Sequence, residues 1–207
     1  MSRQFHELDY CATDLGDLML RRRRYVGLET DVYEVKLGDD FLMSSLFTAS
    51  EEALGRLGVR AALSAQAIPA ADIPDPAGLD IVVGGLGLGY TAAAVLESPA
   101  VRSLIIVEYL DPVIDWHRRN LLPVSEQLNS DSRCRVVSAD FFDCADSPDG
   151  FDPEQPGRQF DAILVDIDHS PDSWLSPSNE GFYSVKGLSR LQQHLRPHGV
   201  FGLWSNE

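Results

Sequence analysis

A glycine-rich segment follows an apolar run near the middle of the chain, Gly84-Gly85-Leu86-Gly87-Leu88-Gly89. Glycine lets a backbone turn sharply and approach a ligand closely, which makes Gly85, Gly87 and Gly89 candidate binding residues. Glu108 ends the next apolar run, nineteen residues after Gly89. A carboxylate at that position can accept hydrogen bonds from both hydroxyls of a ribose. The segment therefore predicts a nucleoside-binding loop.

Further carboxylates follow the third and fourth apolar runs. Asp140 comes just after the third run, where a carboxylate or a nearby amide can meet the edge of a base. Asp166 ends the fourth run and is followed closely by Asp168 and His169. These three are candidate catalytic residues, because a carboxylate there can take a proton from an attacking amine or hold a cationic substrate. An acidic loop in water and a metal site are the alternatives. No further ligand cluster accompanies these residues, and we predict no metal.

The glycine loop by itself leaves several functions open. The spacing Gly87-x-Gly89-x-x-Ala92 also satisfies the dinucleotide-binding fingerprint, which keeps an NAD-binding oxidoreductase as an alternative. A tight strand-to-helix turn without a ligand is another. A P-loop for nucleoside triphosphates is excluded, because no Gly-Lys-Ser/Thr sequence follows the glycines.

Five continuous apolar runs determine the expected fold. Runs of this kind are typical of strands that are buried on both faces of a parallel sheet. They occur at residues 81–83, 104–107, 135–137, 162–165 and 200–203. The helices predicted between them span residues 91–97, 112–120 and 181–195. His117 is expected on a helix surface, and Pro197 and Gly199 are expected to end the last helix. The alternation predicts a doubly wound, Rossmann-like α/β fold.

Three zones divide the chain. Residues 1–47 alternate apolar and polar side chains, and they predict a small antiparallel β-unit. Residues 48–78 predict a helix from Thr48, with Glu51 at capping-box spacing, and then a proline-containing linker. Residues 79–207 form the predicted nucleoside-binding domain.

Charge and composition narrow the range of partners. The 207 residues carry a net charge of −15, which argues against nucleic acid and favours a small cationic substrate. Residues 140–172 contain ten acids and one arginine, which predicts an acidic pocket mouth, with simple solubility as the alternative. The chain has three cysteines without CxxC spacing, no signal peptide and no apolar run long enough to span a bilayer. We therefore expect a cytoplasmic protein without membrane contact.

Taken in order, these features resemble the spermidine-synthase (polyamine aminopropyltransferase) group of the class I S-adenosylmethionine-dependent methyltransferase superfamily. The likeness includes the β-rich N-terminal unit, the glycine loop and the closing segment Leu195-Arg196-Pro197-His198-Gly199-Val200. It implies S-adenosylmethionine or its decarboxylated form as the donor substrate. Glu108 would hold the ribose, Asp140 would lie at the adenine, and Asp166 would be the base and amine anchor.

The sequence also departs from this family at defined positions. The family usually carries an acid within the glycine loop that grips the amino group of the donor, whereas this chain has Leu86-Gly87-Leu88. A Tyr-His-Glu triplet at the start of the first helix is replaced by Ser50-Glu51-Glu52, so that only Glu52 matches. The resemblance favours aminopropyl transfer to a diamine or polyamine. The departures keep two alternatives, methyl transfer to a small acceptor and nucleoside binding without catalysis.

The family sheet normally has two more strands after the fifth. The sequence ends at Glu207, so the C-terminal strands are expected to be missing and the fifth strand would be an open edge, which proteins avoid. We expect either a truncated product or a partner subunit over this edge, and we predict a homodimer.

Overall fold

The computed structural model describes residues 5–25, 30–66, 78–167 and 170–205, which form two β-sheets and the helices that cover them. The strands are β1 (Phe5–Thr13), β2 (Gly16–Tyr25), β3 (Thr30–Leu37), β4 (Asp40–Ser44), β5 (Leu79–Gly84), β6 (Val101–Glu108), β7 (Cys134–Ser138), β8 (Phe160–Val165) and β9 (Leu195–Leu203). The α-helices are α1 (Ala49–Gln66), α2 (Tyr90–Leu96), α3 (Asp111–Arg118), α4 (Ser125–Ser130), α5 (Phe141–Asp146) and α6 (Val185–Leu191).

The parallel sheet, with the strand order β7-β6-β5-β8-β9, is the centre of the fold. Every residue of β5 and β8 is buried, as expected for central strands that helices cover on both faces. Ile81 and Val83 pack on one face with residues of α1, α2, α3 and α4. Val82 and Ile163 pack on the other face with residues of α5 and α6. The doubly wound α/β fold that the apolar runs predict is confirmed.

The strand order changes direction beside β5. The chain moves from β5 to β6 and β7 on one side, and it then returns to β8 and β9 on the other side. The segments that follow β5 and β8 therefore lead away from each other and leave a crevice at the carboxyl ends of these strands. Open α/β sheets bind their ligands at this point.

The N-terminal antiparallel sheet, with the order β1-β2-β3-β4, packs against the parallel domain. Leu18 and Leu20 of β2 and Val35 of β3 are buried in the same apolar core as β5. Leu42 and Met43 of β4 pack against that core and reach the crevice. The predicted β-unit is therefore present, and it supplies one wall of the crevice.

The predicted continuous helix over residues 181–195 is wrong. The chain forms a 3₁₀ turn at Pro177–Tyr183, then α6, and then a second 3₁₀ turn at Gln192–His194. The break has a local cause, because Ser184 caps α6 by accepting a hydrogen bond from the Gly187 N–H at 3.0 Å. Serine competes in this way with the backbone hydrogen bonds that would continue a helix.

Pro197 and Gly199, which were expected to end that helix, lie inside β9 instead. β9 pairs in parallel with β8, and the register begins with Leu195 opposite Phe160. The guanidinium of Arg196 donates to the Asp161 carboxylate of β8 at 2.6 Å. This pairing with a distant strand makes residues 195–203 a strand, and the local sequence pattern does not predict it.

An ion-pair network connects the amino ends of β5, β6, β8 and β9, at the opposite end of the sheet from the crevice. The buried Asp80 of β5 accepts hydrogen bonds from Arg102, Ser103 and Arg196, and it forms an ion pair with Arg158. Burial alone would raise the pKa of Asp80. The hydrogen bonds from Arg102, Ser103 and Arg196, together with the charge of Arg158, outweigh burial and hold that pKa well below its usual range.

We expect Asp80→Asn to destabilise the fold by about 3 kcal/mol at pH 7, because it removes a buried anion shared by three arginines. A carboxylate whose folded pKa is lowered stabilises fully above its unfolded pKa of about 4, and it loses this contribution as pH falls through the folded value. The difference from the wild type should therefore shrink below about pH 4.

Urea unfolding at pH 7 and pH 3.5 measures this difference. The matched control is Asp39→Asn, which removes the same charge from an exposed turn and should change the unfolding free energy little at either pH. A penalty for Asp80→Asn that did not change with pH would contradict the predicted ionisation of Asp80.

Candidate functional site

A cavity of about 240 Å³ opens at the carboxyl ends of β5, β6 and β8. The glycine loop forms its floor, and the N-terminal sheet forms one wall with Leu42 and Met43. Leu175 and Trp204 border another side. The cavity lies at the point where doubly wound sheets hold ligands.

The glycine loop takes a shape that other residues would not tolerate. Gly85, Gly87 and Gly89 have φ angles of 89°, 48° and 90°, in the region that favours glycine. A Cβ atom on Gly85 would lie 2.2 Å from the carbonyl oxygen of Asp166. A Cβ atom on Gly89 would lie 2.6 Å from a methyl group of Val124. The loop is therefore pressed between neighbouring elements, and all three predicted glycines also line the cavity.

Glu108 connects the glycine loop to the turn that follows β6. Its two carboxylate oxygens accept hydrogen bonds from the N–H groups of Leu86 at 2.8 Å and Leu110 at 2.7 Å. Only 7% of the residue is exposed. Burial raises the pKa of Glu108, although the backbone donors oppose this effect. The carboxylate shapes the loop and also borders the cavity, so it can accept hydrogen bonds from a ligand on its remaining lone pairs.

Asp166 directly follows β8 and is one of the residues that line the cavity. Its backbone N–H donates to the carbonyl oxygen of Gly84 at 2.8 Å, which holds it beside the glycine loop. The hydroxyl of Thr91 donates to Asp166 Oδ2 at 2.5 Å. Burial raises the pKa of Asp166 to about 6, while the Thr91 hydrogen bond opposes the rise and the charge of Glu51 adds to it. A carboxyl group with such a pKa can accept a proton near neutral pH.

The remaining predicted residues have mixed outcomes. Asp140 lines the cavity and caps α5 by accepting from the N–H groups of Phe142 at 2.7 Å and Asp143 at 3.3 Å. Asp168 and His169 lie outside the described residues, and their catalytic role stays a prediction. Within the residues that the structure describes, no group of three or more His, Cys, Asp or Glu side chains could hold a metal ion.

His117, expected on a helix surface, is buried behind the glycine loop with 2% exposure. Its Nε2 lies 2.9 Å from the carbonyl oxygen of Gly87, and its Nδ1 lies 3.1 Å from the Ser125 hydroxyl. Because a carbonyl only accepts, Nε2 carries the hydrogen and Nδ1 accepts from Ser125. Burial lowers the pKa of His117 and favours this neutral form, although the Gly87 contact opposes the shift. Its spacing from the buried Val113 and Ile114 is a helical signal for this burial.

The first turn of α1 contributes Glu51 to the cavity, whereas the resemblance pointed to Glu52. The Thr48 hydroxyl donates to Glu52 at 2.9 Å, and Arg56 donates to the same carboxylate at 2.9 Å. The expected capping box between Thr48 and Glu51 is therefore replaced by a Thr48–Glu52 hydrogen bond. This arrangement leaves the Glu51 side chain for the cavity.

The acidic segment at residues 140–172 does not form a pocket mouth as a whole. Its Asp152 forms ion pairs with Arg135 and Arg158, and its Asp161 pairs with Arg196 at the far end of the sheet. The segment includes β8, whose two ends lie on opposite sides of the domain, so its charges are divided between them. Among the described residues, the cavity is lined by four carboxylates and by no lysine, arginine or histidine, the carboxylates being Glu51, Glu108, Asp140 and Asp166.

Solved structures share this architecture. A spermidine synthase in complex with the transition state analogue AdoDATO matches 96% of this chain with a TM-score of 0.67 and 15% identity. The chain has the fold of that protein. The spermidine synthase from Thermotoga maritima matches 95% of the chain with a TM-score of 0.64, also at 15% identity. The chain spans 57% and 56% of the length of these two proteins. The predicted Rossmann-like α/β fold is thus confirmed, and it is the fold of these two spermidine synthases.

A more distant match is human methyltransferase-like protein 13 in complex with SAH. It covers 74% of this chain and 60% of its own, at 25% identity and a TM-score of 0.44. No protein-family model matches the sequence, and no curated protein does. No helix in the described ranges is both long and apolar enough to cross a membrane.

The expectation that Glu108 holds a ribose can be tested with Glu108→Gln. The amide keeps one acceptor oxygen and turns an NH₂ group toward backbone donors, so the binding free energy of 5′-methylthioadenosine should weaken by about 1.5–3 kcal/mol. Calorimetric titration measures the loss, with Glu97→Gln as the control on an exposed surface pair. Unchanged affinity in a folded Glu108→Gln protein would remove Glu108 from the binding residues.

Proposed function

We propose that the protein is a transferase for an adenosyl sulfonium donor, and that it moves an aminopropyl group from decarboxylated S-adenosylmethionine to an amine. The observation that carries this proposal is the charge of the cavity. Four carboxylates line it, and its described lining residues include no cationic side chain. Such a site attracts ammonium and sulfonium groups and repels anions.

The same charge supports the choice of donor. S-adenosylmethionine and its decarboxylated form differ by one carboxylate. In this cavity that carboxylate would meet like charges and no arginine or lysine to pair with, which disfavours the intact donor. The decarboxylated donor presents two positive charges and no negative one, so it complements the site.

The residues of the cavity have distinct roles in the proposed transfer. Glu108 holds the ribose, Asp140 lies at the adenine, and the glycine loop lets the donor approach the backbone. The lone pair of the amine nitrogen forms a bond to the aminopropyl carbon that is attached to the sulfonium sulfur. The bond between this carbon and the sulfur breaks, and its electron pair goes to sulfur. The products are the lengthened amine and 5′-methylthioadenosine. Asp166 accepts the proton that leaves the nitrogen, and the enzyme accelerates the step chiefly by holding the partners in line.

Methyl transfer to a small acceptor is the second candidate, and one observation favours it. The loop residues Leu86-Gly87-Leu88 line the cavity without offering an acid for the amino group of an aminopropyl donor. A methyltransferase requires no such contact at the transferred group.

Titration with the two donors distinguishes these functions. We expect binding of decarboxylated S-adenosylmethionine at least about tenfold tighter than binding of the intact donor, a difference of about 1.4 kcal/mol. Addition of diamines should then release 5′-methylthioadenosine, detected by chromatography. Tighter binding of intact S-adenosylmethionine with release of S-adenosylhomocysteine would establish methyl transfer instead. Binding of neither donor would contradict both functions.

The raised pKa of Asp166 predicts a pH dependence. Only the ionised carboxylate accepts the proton, so kcat/KM should rise with pH through about 6. Thr91→Val removes a hydrogen bond that favours the ionised form, so it should move this acidic limb to higher pH. Deprotonation of the substrate amine affects the pH profiles of the wild type and of Thr91→Val equally. A difference between the two profiles therefore reports the pKa of Asp166 alone.

Asp166→Asn provides the complementary result. It should abolish turnover while sparing donor binding, and it should raise the melting temperature at pH 7, because a buried carboxyl with a raised pKa destabilises the fold when ionised. Turnover that survives in Asp166→Asn, or an acidic limb that does not move in Thr91→Val, would exclude Asp166 as the base.

A further inference from the structure

Two acidic residues from different secondary-structure elements lie near the end of the glycine loop. Asp166 comes from the end of β8, and Glu51 comes from the first turn of α1. The Thr91 hydroxyl lies between them, 2.5 Å from Asp166 Oδ2 and 3.2 Å from the backbone oxygen of Glu51. Because the charge of Glu51 is close enough to affect the ionisation of Asp166, the two groups act within one site.

Close packing of two helices fixes the position of Glu51. A Cβ atom on Gly55 of α1 would lie 2.6 Å from the carbonyl oxygen of Thr91 in α2. At that glycine, α1 and α2 therefore touch through their backbones. Glu51 lies one turn before the contact, so the carboxylate is carried by a rigid helix beside the loop rather than by a mobile segment.

Glu51 differs from its neighbour in its partners. Within the described residues it receives a hydrogen bond from the Ser50 hydroxyl at 2.8 Å and forms no ion pair. Glu52, one residue later, binds both Thr48 and Arg56. A carboxylate that lies near a second carboxylate in the same cavity is stabilised by a cation that enters with the ligand.

The proposed transfer requires two sites for amine nitrogens. The attacking nitrogen delivers its proton to Asp166, so Asp166 cannot also pair with the ammonium at the end of the donor's aminopropyl chain. Leu86-Gly87-Leu88 offers no anion for that ammonium. Glu51 adjoins Asp166 at the end of the glycine loop, because the Thr91 hydroxyl contacts both residues, and both residues line the same cavity.

We propose that Glu51 binds the terminal ammonium of the donor's aminopropyl chain and thereby determines donor specificity. This inference rests on the proposed aminopropyl transfer. It assigns to α1 a contact that the glycine loop of this chain cannot make, because Leu86, Gly87 and Leu88 carry no charge.

Two unreactive thioether ligands test the assignment. One is 5′-methylthioadenosine, and the other carries a 3-aminopropyl group in place of the methyl group, so the pair differs by the ammonium arm and has no sulfonium charge. The wild type should bind the aminopropyl thioether at least about tenfold more tightly, as expected for a charge-assisted hydrogen bond. Glu51→Gln should abolish this preference and leave the affinity for 5′-methylthioadenosine unchanged.

Glu52→Gln is the matched control, because it makes the same change of charge in the same helical turn away from the cavity. It should bind both ligands as the wild type does, and melting curves verify that all three proteins are folded. A wild type that binds neither ligand would refute the proposed function itself. Binding of both without preference, or a preference that persists in Glu51→Gln, would overturn only the role of Glu51.

Two further results would also overturn the assignment. An equal loss of affinity for both thioethers in Glu51→Gln would show that Glu51 acts through the packing of α1. A raised KM for the diamine with unchanged donor affinity would place Glu51 at the acceptor.

Discussion

The close crossing of the glycine loop over the end of β8 is the constraint on which the cavity depends. Gly85 leaves no room for a Cβ atom against the Asp166 carbonyl, and hydrogen bonds join Gly85 to Val107 and Asp166 to Gly84. This contact brings the end of β8 beside the loop and places the Asp166 carboxylate on the cavity. Glu108 and His117 brace the same loop from two other directions, through Leu86 and Gly87 respectively. The loop is therefore preorganised by the fold before any ligand arrives.

The two ends of the parallel sheet differ in how their charges are balanced. At the amino ends, Arg102, Arg158 and Arg196 surround Asp80, and further ion pairs neutralise Asp152 and Asp161. At the carboxyl ends, the described lining of the cavity contains carboxylates and no cationic side chain. The fold thus uses its arginines for stability at one end and leaves negative charge uncompensated at the other. Burial of a charge without an opposite charge nearby costs free energy. The pKa of Asp166 is raised for this reason, at the site where a proton acceptor is proposed.

Much of the architecture follows from local rules. Continuous apolar runs identify the strands of the parallel sheet, because a strand covered on both faces must be apolar along its whole length. Glycines after the first run, Glu108 after the second and Asp166 after the fourth then converge, since parallel strands end at a common edge. These predicted residues all line the cavity.

Other features depend on residues that meet only after folding. The sequence places two glutamates in the first turn of α1, and Glu52 finds both of its partners, Thr48 and Arg56, within four residues. The packing of α1 against α2 at Gly55 is what brings Glu51 to the cavity. His117 is buried because α3 packs behind the glycine loop; its helical spacing from Val113 and Ile114 indicates a buried face, but its partners Gly87 and Ser125 are fixed only by the fold. The last predicted helix is interrupted locally at Ser184, which caps α6, whereas the segment from Leu195 onward is a strand because it pairs with β8. Local patterns therefore establish which elements form and where strand ends carry charge. The partners of charges such as Asp80 lie on segments far apart in the chain, and the order of residues alone does not determine which of these segments meet.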